Sequence, residues 1–217
     1  MVSIIITCYE NDRKFISNAI DSCLSQDVPI EIIVVDGGSR TIISNNSVLK
    51  ADKYIYTRQN DMQAGAMNLG IKNAKYDLIL GLDSDDWLYD NVLGDMVRAI
   101  DGVDVVCGCM TKEAGGKALV PMEVNRENLL ICNPIFWSSL FRKSVCGRAG
   151  GMDKVVYQDY RFWVKLFLGG CRFKNIDTVI YNHGKRPNSR TDKEFNRVEE
   201  LNKEAKQPLY EDNNLGI

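Results

Sequence analysis

The 217-residue sequence contains a single histidine, His183, and only five prolines. With one histidine and seven cysteines scattered without a CxxC pair, no zinc-type ligand spacing is present. The cysteines are expected to be small buried hydrophobes of a reducing compartment, and Cys107 and Cys109 would share one face of a strand. An excess of charge is missing too. The 27 Lys and Arg against 29 Asp and Glu leave a net charge of −2, so the total gives no reason to expect a nucleic-acid partner. No apolar run approaches the ~20 residues of a membrane-spanning helix. Internal repeats and low-complexity linkers are absent, and Met1 runs straight into an apolar strand without a basic start. These absences lead us to expect one globular domain, cytoplasmic or at most peripheral at a membrane.

What is present is alternation. Val2 to Thr7, Glu31 to Val35, Lys53 to Tyr56, Asp77 to Leu82 and Val103 to Cys107 read as strands. Between them, Phe15, Ile16, Ala19, Ile20, Cys23 and Leu24 form the stripe of an amphipathic helix. Met67 to Ala74 reads as helical, and Asp90 can cap a helix carrying Leu93, Met96, Val97 and Ile100. Apolar strands alternating with helices predict an α/β fold with a mostly parallel sheet covered on both faces. Such sheets bind ligands beyond the carboxyl ends of their strands. Further on, Asp159 to Leu168 reads as a helix, and Phe195, Val198 and Leu201 recur at helical spacing before a polar tail.

The chemistry-bearing residues cluster at those strand ends. Asp83-Ser84-Asp85-Asp86 places three carboxylates within four positions. They repel one another unless they are solvated around a turn or gathered on a hard divalent cation such as Mg²⁺ or Mn²⁺. A bridging cation of this kind stabilises a diphosphate as its bond breaks; the alternative is a solvated acidic turn with Asp as helix cap. Asp36-Gly37-Gly38-Ser39 fits hydrogen bonding to a ribose or base edge, or an ordinary glycine turn. Trp137 could be a sugar-stacking platform or core, whereas Trp163 follows the apolar side of a helix.

Taken in order, these segments resemble family 2 glycosyltransferases of the GT-A fold. The family's first strand ends in a Thr or Pro, a small residue and Tyr-Asn; here Thr7-Cys8-Tyr9-Glu10 stands there. Its VDDGS is Val35-Asp36-Gly37-Gly38-Ser39, with Gly37 in place of the second Asp. Its N-x-G-x-x-x-A-R-N-x-G falls on Asn60 to Gly70, with Met62 replacing a Gly and with Ala66, Asn68 and Gly70 in register. Its DSDD is intact at Asp83 to Asp86. The second half continues through Phe141-Arg142-Lys143, Gly150-Gly151-Met152-Asp153 and Gln158-Asp159, with Gln158 replacing a Glu. It ends at Tyr181-Asn182-His183 and Asn188-Ser189.

The resemblance implies a nucleotide-sugar-binding part over 1–110, an acceptor and catalytic part over 111–190, and a C-terminal helix and tail over 191–217. It implies an inverting, metal-dependent transfer, with UDP-sugar the favoured donor and a glycan, lipid-linked or protein hydroxyl as acceptor, in glycan or polysaccharide synthesis. Asp159 is implied as general base, with simple helix capping as the alternative. Asp83 and Asp85 would hold Mn²⁺ or Mg²⁺, with His183 a candidate third ligand. Thr7, Tyr9, Glu10 and Asp36 are expected around the base and ribose, and Asn68 and Ser84 on the donor side. Arg142 would face diphosphate or acceptor, or pair with an acidic neighbour. Two other classes stay open: a sugar nucleotidyltransferase, although Thr7 to Arg13 lacks the glycine-rich basic loop expected of one, and a non-catalytic sugar-nucleotide-binding module.

Overall fold

The computed structural model describes residues 1–10, 15–40, 46–57, 62–112, 114–184 and 197–212. Asn60 and Asp61, Asn188-Ser189, Phe195 and the last five residues therefore lie outside the described residues. Strands are β1 (Val2–Cys8), β2 (Ile30–Asp36), β3 (Lys53–Tyr56), β4 (Leu78–Asp83), β5 (Trp87–Leu88), β6 (Val105–Thr111), β7 (Leu140–Arg142) and β8 (Phe173–Asn182). Helices are α1 (Ile16–Leu24), α2 (Met62–Asn73), α3 (Leu93–Ala99), α4 (Arg126–Ile131), α5 (Cys146–Ala149), α6 (Gln158–Leu168) and α7 (Val198–Glu211).

All eight strands join one sheet in the order β3-β2-β1-β4-β7-β6-β8-β5. The first half is parallel, as the alternation predicts: β1 pairs with β2 and β4, and β2 with β3. The second half makes the sheet mixed. β7 runs antiparallel to β4 and β6, and β5 is antiparallel to β8, while β6 and β8 are parallel.

The period of two along β1, β2 and β4 builds both cores. Ile4, Ile6, Ile32, Val34, Leu80 and Leu82 face one cluster with Ile16, Ala19, Ile20 and Cys23 of α1. Ile5, Ile33, Val35 and Ile79 face the other, with Met67 of α2 and Phe162, Trp163 and Leu166 of α6. Each fully buried Ile or Leu contributes about 1.5–3 kcal/mol, so a one-residue slip would turn both sets to the wrong face. None of the seven cysteines forms a disulfide, and five of them are buried.

Two local expectations change. Asp90 does not cap α3. Asn91 takes a left-handed φ of 57°, and Gln26 Oε1 accepts the Val92 and Leu93 N–H groups at 3.1 and 3.2 Å while Asp27 Oδ1 accepts that of Gly94 at 3.1 Å. Helix α2 begins five residues earlier than its apolar spacing suggests, because small residues rather than an apolar stripe let it approach the sheet. A Cβ on Gly70 would lie 2.4 Å from Ile5 Cγ2.

One buried carboxylate ties the amino ends of the strands together. Glu31 pairs across from Ser3 and accepts from Ser3 Oγ at 2.7 Å, Lys53 Nζ at 2.7 Å and the Lys75 N–H at 2.8 Å. Burial pushes the Glu31 carboxyl up, but these hydrogen bonds and the charge of Lys53 outweigh it, so its pKa lies below the ordinary glutamate value. A pKa depressed by folding means stability present above the unfolded value and lost as pH falls through the folded one. Glu31→Gln should therefore cost about 1–3 kcal/mol at pH 7. In denaturant titrations the gap to wild type should shrink once the pH drops below ~4; a constant gap would contradict this account.

Candidate active site

Register alone brings the first candidate residues together. Thr7 on β1 sits beside Asp83 on β4, and Cys8 beside Asp36 on β2. The loops leaving β1 and β2 form one rim: the Gly37 N–H donates to the Cys8 carbonyl at 2.9 Å, the Glu10 N–H to Ser39 Oγ at 2.7 Å, and the Arg40 N–H to Glu10 Oε1 at 3.2 Å. Tyr9 stands 42% exposed on this rim, whereas Thr7 is buried.

Asp36 is completely buried. Its carboxylate accepts the Gly38 and Ser39 N–H groups at 3.1 and 2.8 Å and the Tyr54 hydroxyl at 2.8 Å. Through these bonds Asp36 shapes the loop that follows β2. Gly38 needs its φ of 97°, but Gly37 does not need to be glycine. A Cβ there would meet only Cys8 O at 3.6 Å, leaving room for the Asp usual in the resembling family. Gly37→Ala should leave stability unchanged or slightly raised, and Gly38→Ala should cost about 1 kcal/mol or more. Equal melting temperatures for the two variants would count against this geometry.

The acidic turn follows β4. Because Trp87 pairs with Asn182 and Leu88 with Tyr181 in an antiparallel ladder, Asp86 and Asp85 come to face His183 and Gly184. Asp86 is buried, accepting the Gly184 N–H at 2.8 Å and an ion pair from His183 Nδ1 at 3.2 Å. The hydrogen bond to Asp86 lifts the His183 pKa to about 9 against the opposing effect of burial. Asp83 is half-buried, and its surroundings desolvate the carboxyl group. This desolvation, followed by the charges of Asp86 and Asp85, raises its pKa well above the usual carboxylate range. Ser84 is buried between them.

That excess of like charge is what a divalent cation relieves. Asp83 and Asp85 fit a hard cation held through one or two carboxylates and substrate phosphate oxygens. Asp86 is already engaged, and His183 is drawn to Asp86 rather than to Asp83 and Asp85. His183, expected as a candidate third ligand, has Asp86 as its hydrogen-bond partner here. Among the described residues no group of three or more His, Cys, Asp or Glu side chains is arranged to hold a metal.

The other wall is the start of α6. The residue at the cap position is Tyr157, which makes no side-chain cap hydrogen bond. Half-buried in the first turn, Asp159 accepts from Asn133 Nδ2 at 2.9 Å. A chain of amides joins this helix to the acidic turn: Gln158 Nε2 donates to Gln63 Oε1 at 2.6 Å, and Gln63 Nε2 donates to Asp83. The preceding loop is clipped on both sides. Asp153 accepts from Arg161 Nε at 2.6 Å and Lys165 Nζ at 3.0 Å.

Asn68 holds the same loop, donating to the Met152 carbonyl at 2.8 Å and accepting the Met152 N–H at 2.9 Å. Both ends of its amide are used by backbone, so Asn68 clamps this loop. Arg142 stands at the other end of the sheet strand, beside an acidic neighbour. It pairs with Leu78 at the far end of β4 from Asp83 and donates to the Val103 and Ile100 carbonyls at 3.1 Å each, with Asp77 at 3.9 Å. Trp137 is core rather than platform, lying against Gly81, where a Cβ would come within 2.3 Å of its ring.

Gln63, Asn133 and Gly184 were not singled out from the sequence. Gln63 lies inside the amide-rich Asn60–Gly70 segment and Gly184 directly follows His183, so position gave a signal for both. Asn133 had none beyond Pro134.

These features match known proteins. S. aureus TarS 1–349 in complex with UDP-GlcNAc has a TM-score of 0.74 at 21% identity, covering 94% of this chain and 66% of that one. The mannosyltransferase PcManGT from Pyrobaculum calidifontis, in complex with GDP-Man and Mn²⁺, has a TM-score of 0.69 at 18% identity, covering 92% and 61%. The fold is therefore the GT-A fold. The sequence profile described as Glycosyl transferase family 2 matches residues 3–148, and the chain belongs to that family. The UDP-Gal:alpha-D-GlcNAc-diphosphoundecaprenol beta-1,3-galactosyltransferase of Escherichia coli is 26% identical over 198 residues, 82% of this chain and 72% of that protein. An uncharacterized glycosyltransferase of Rickettsia typhi is 36% identical over 114 residues, 50% of this chain and 36% of its own length. The chain thus spans most of the first relative but about a third of the second.

Proposed function

We propose that this chain is a metal-dependent, inverting glycosyltransferase that moves a sugar from a UDP-sugar to an acceptor hydroxyl in glycan or polysaccharide assembly. The observation that carries the proposal is the meeting of the acidic turn after β4 with the base-bearing start of α6, joined through Gln63 and Gln158. In this reading Thr7, Tyr9, Glu10 and Ser84 border the nucleoside and ribose, on a loop frame held by Asp36. Asp83 and Asp85 would hold Mn²⁺ or Mg²⁺, which supplies positive charge to the departing diphosphate. Asp159 takes the proton of the acceptor hydroxyl as its oxygen attacks the anomeric carbon. The bond from that carbon to the diphosphate oxygen breaks on the opposite face, its electron pair leaving with UDP, and the configuration inverts.

Residues 1–110 would then serve the donor and 111–190 the acceptor. A lipid-linked acceptor is favoured by the Escherichia coli relative and by exposed apolar residues beside the Asn133 segment: Val120, Met122, Leu130 and Ile131. No helix among the described residues is long and apolar enough to cross a membrane. We place the chain on the cytoplasmic side, peripheral to the membrane that carries such an acceptor.

The test is UDP release from UDP-galactose, UDP-glucose and their N-acetyl forms, with Mn²⁺ and either a GlcNAc-diphospholipid or free GlcNAc glycosides as acceptor, followed by NMR of the anomeric proton. A β-linked product from an α-linked donor supports the reading. A retained configuration overturns the inverting mechanism, and nucleotide binding without transfer favours the non-catalytic module.

A further inference from the structure

The segment after α4 is held unusually firmly for a loop. Asn133 precedes Pro134, which restricts its backbone to extended conformations. Pro134 is buried, and its carbonyl accepts the Met122 N–H at 2.7 Å. Helix α6 is pinned to α4 one residue beyond Asp159, where the Tyr160 hydroxyl donates to the Leu129 carbonyl. Two neighbouring residues of α6 therefore contact the α4 region: Tyr160 through a buried hydroxyl, and Asp159 through the amide of Asn133 at 2.9 Å.

The Asn133 amide is used on one side only. Its Nδ2 donates to Asp159 Oδ2, while its Oδ1 is buried and has no hydrogen-bond partner among the described residues. A buried acceptor left unmade is costly. Flipping the amide would not help, because Oδ1 would then face the carboxylate. The orientation of Asn133 is thus set by Asp159 alone.

Resting on the reading of Asp159 as base, we infer that Asn133 is a positioning residue for it: its N–H fixes the plane of the carboxylate and favours the ionised form that accepts a proton. Hydrogen bonding to the charged form is one of the forces that hold a carboxylate ionised at neutral pH. A base whose protonation and direction are fixed before substrate arrives needs no reorganisation during the reaction.

The test compares Asn133→Ala and the near-isosteric Asn133→Asp with wild type and Asp159→Asn. The readouts are the pH profile of UDP release from UDP-galactose with Mn²⁺ and NMR titration of the Asp159 carboxyl carbon, assigned by its loss in Asp159→Asn. Asn133→Ala should lower kcat roughly tenfold or more at neutral pH, within the range that base catalysis supplies, with the KM for UDP-galactose unchanged. The Asp159 titration and the acid limb of the profile should both move to higher pH. Asn133→Asp, which sets a second carboxylate beside the first, should move them further. A purely structural tie would lower the melting temperature and leave the titration where it is, and that result overturns the inference. If Asp159→Asn is inactive while Asn133→Ala titrates and turns over as wild type, Asn133 alone loses its role. If Asp159→Asn is fully active, the base assignment and this inference fail together.

Discussion

Asp159→Asn is expected to lower kcat by about 10²–10⁴-fold, the contribution of a positioned general base, while leaving nucleotide binding intact. Asn keeps the shape and the polar character of the side chain but cannot take a proton. Asp159 is on the wall opposite the acidic turn, held by Asn133, and the capping position belongs to Tyr157. The substitution should therefore leave α6 in place, and the stabilisation by UDP with Mn²⁺ should match wild type within about 1 °C, well inside the effect of 1 kcal/mol. Initial rates of UDP release, set beside melting curves with and without nucleotide, check both halves. Undiminished turnover would mean that another group is the base.

Gly184→Ala is expected to be the most damaging small substitution in the chain. A Cβ there would lie 1.9 Å from the Asp85 carbonyl oxygen and 2.9 Å from its carbon. Both atoms belong to backbone, so neither can swing aside as a side-chain tip would. Relief requires the end of β8 to part from the acidic turn, which removes the Gly184 N–H from Asp86. Asp86 would then be a buried carboxylate deprived of one of its two partners. Overpacking of this kind costs roughly 1–3 kcal/mol or more, a fall of roughly 3–10 °C for a chain of this length. The loss of function should exceed the loss of stability, because the displaced Asp85 is a proposed metal ligand. Melting curves and a Mn²⁺ titration monitored by UDP binding would show it; a variant that binds Mn²⁺-UDP as wild type would refute this close packing.

The fold was legible where local pattern and burial agree. The β-branched runs of β1 and β2 and the stripe of α1 are periodic because each packs against one continuous core. Legibility ended where partners come from far along the chain. The caps of α3 are Gln26 and Asp27, more than sixty residues earlier, so Asp90 was the natural local choice and the wrong one. β7, three residues long, reverses the sheet direction without any periodicity to announce it. At the site, the motif order located the acidic turn and the start of α6 but could not separate ligands from scaffolding. Asp36 and Asn68 look like contacts in a list of motif positions. Their hydrogen-bond partners, the backbone of Gly38, Ser39 and Met152 and the hydroxyl of Tyr54, add a part in holding the loops that no motif position reveals. Asn133 had no sequence signal because its role depends on a tertiary contact with a helix 26 positions away.

The central claim, that the acidic turn with a divalent cation holds a nucleoside diphosphate, is tested most directly by thermal unfolding with UDP and GDP, each with and without Mn²⁺. A nucleotide at one hundred times its dissociation constant stabilises the fold by about 2.7 kcal/mol, or roughly 5–10 °C here. The account predicts such a rise for UDP, dependent on Mn²⁺ and abolished in Asp85→Asn. No rise with either nucleotide in a folded sample, or an equal rise without the metal and in Asp85→Asn, would contradict it.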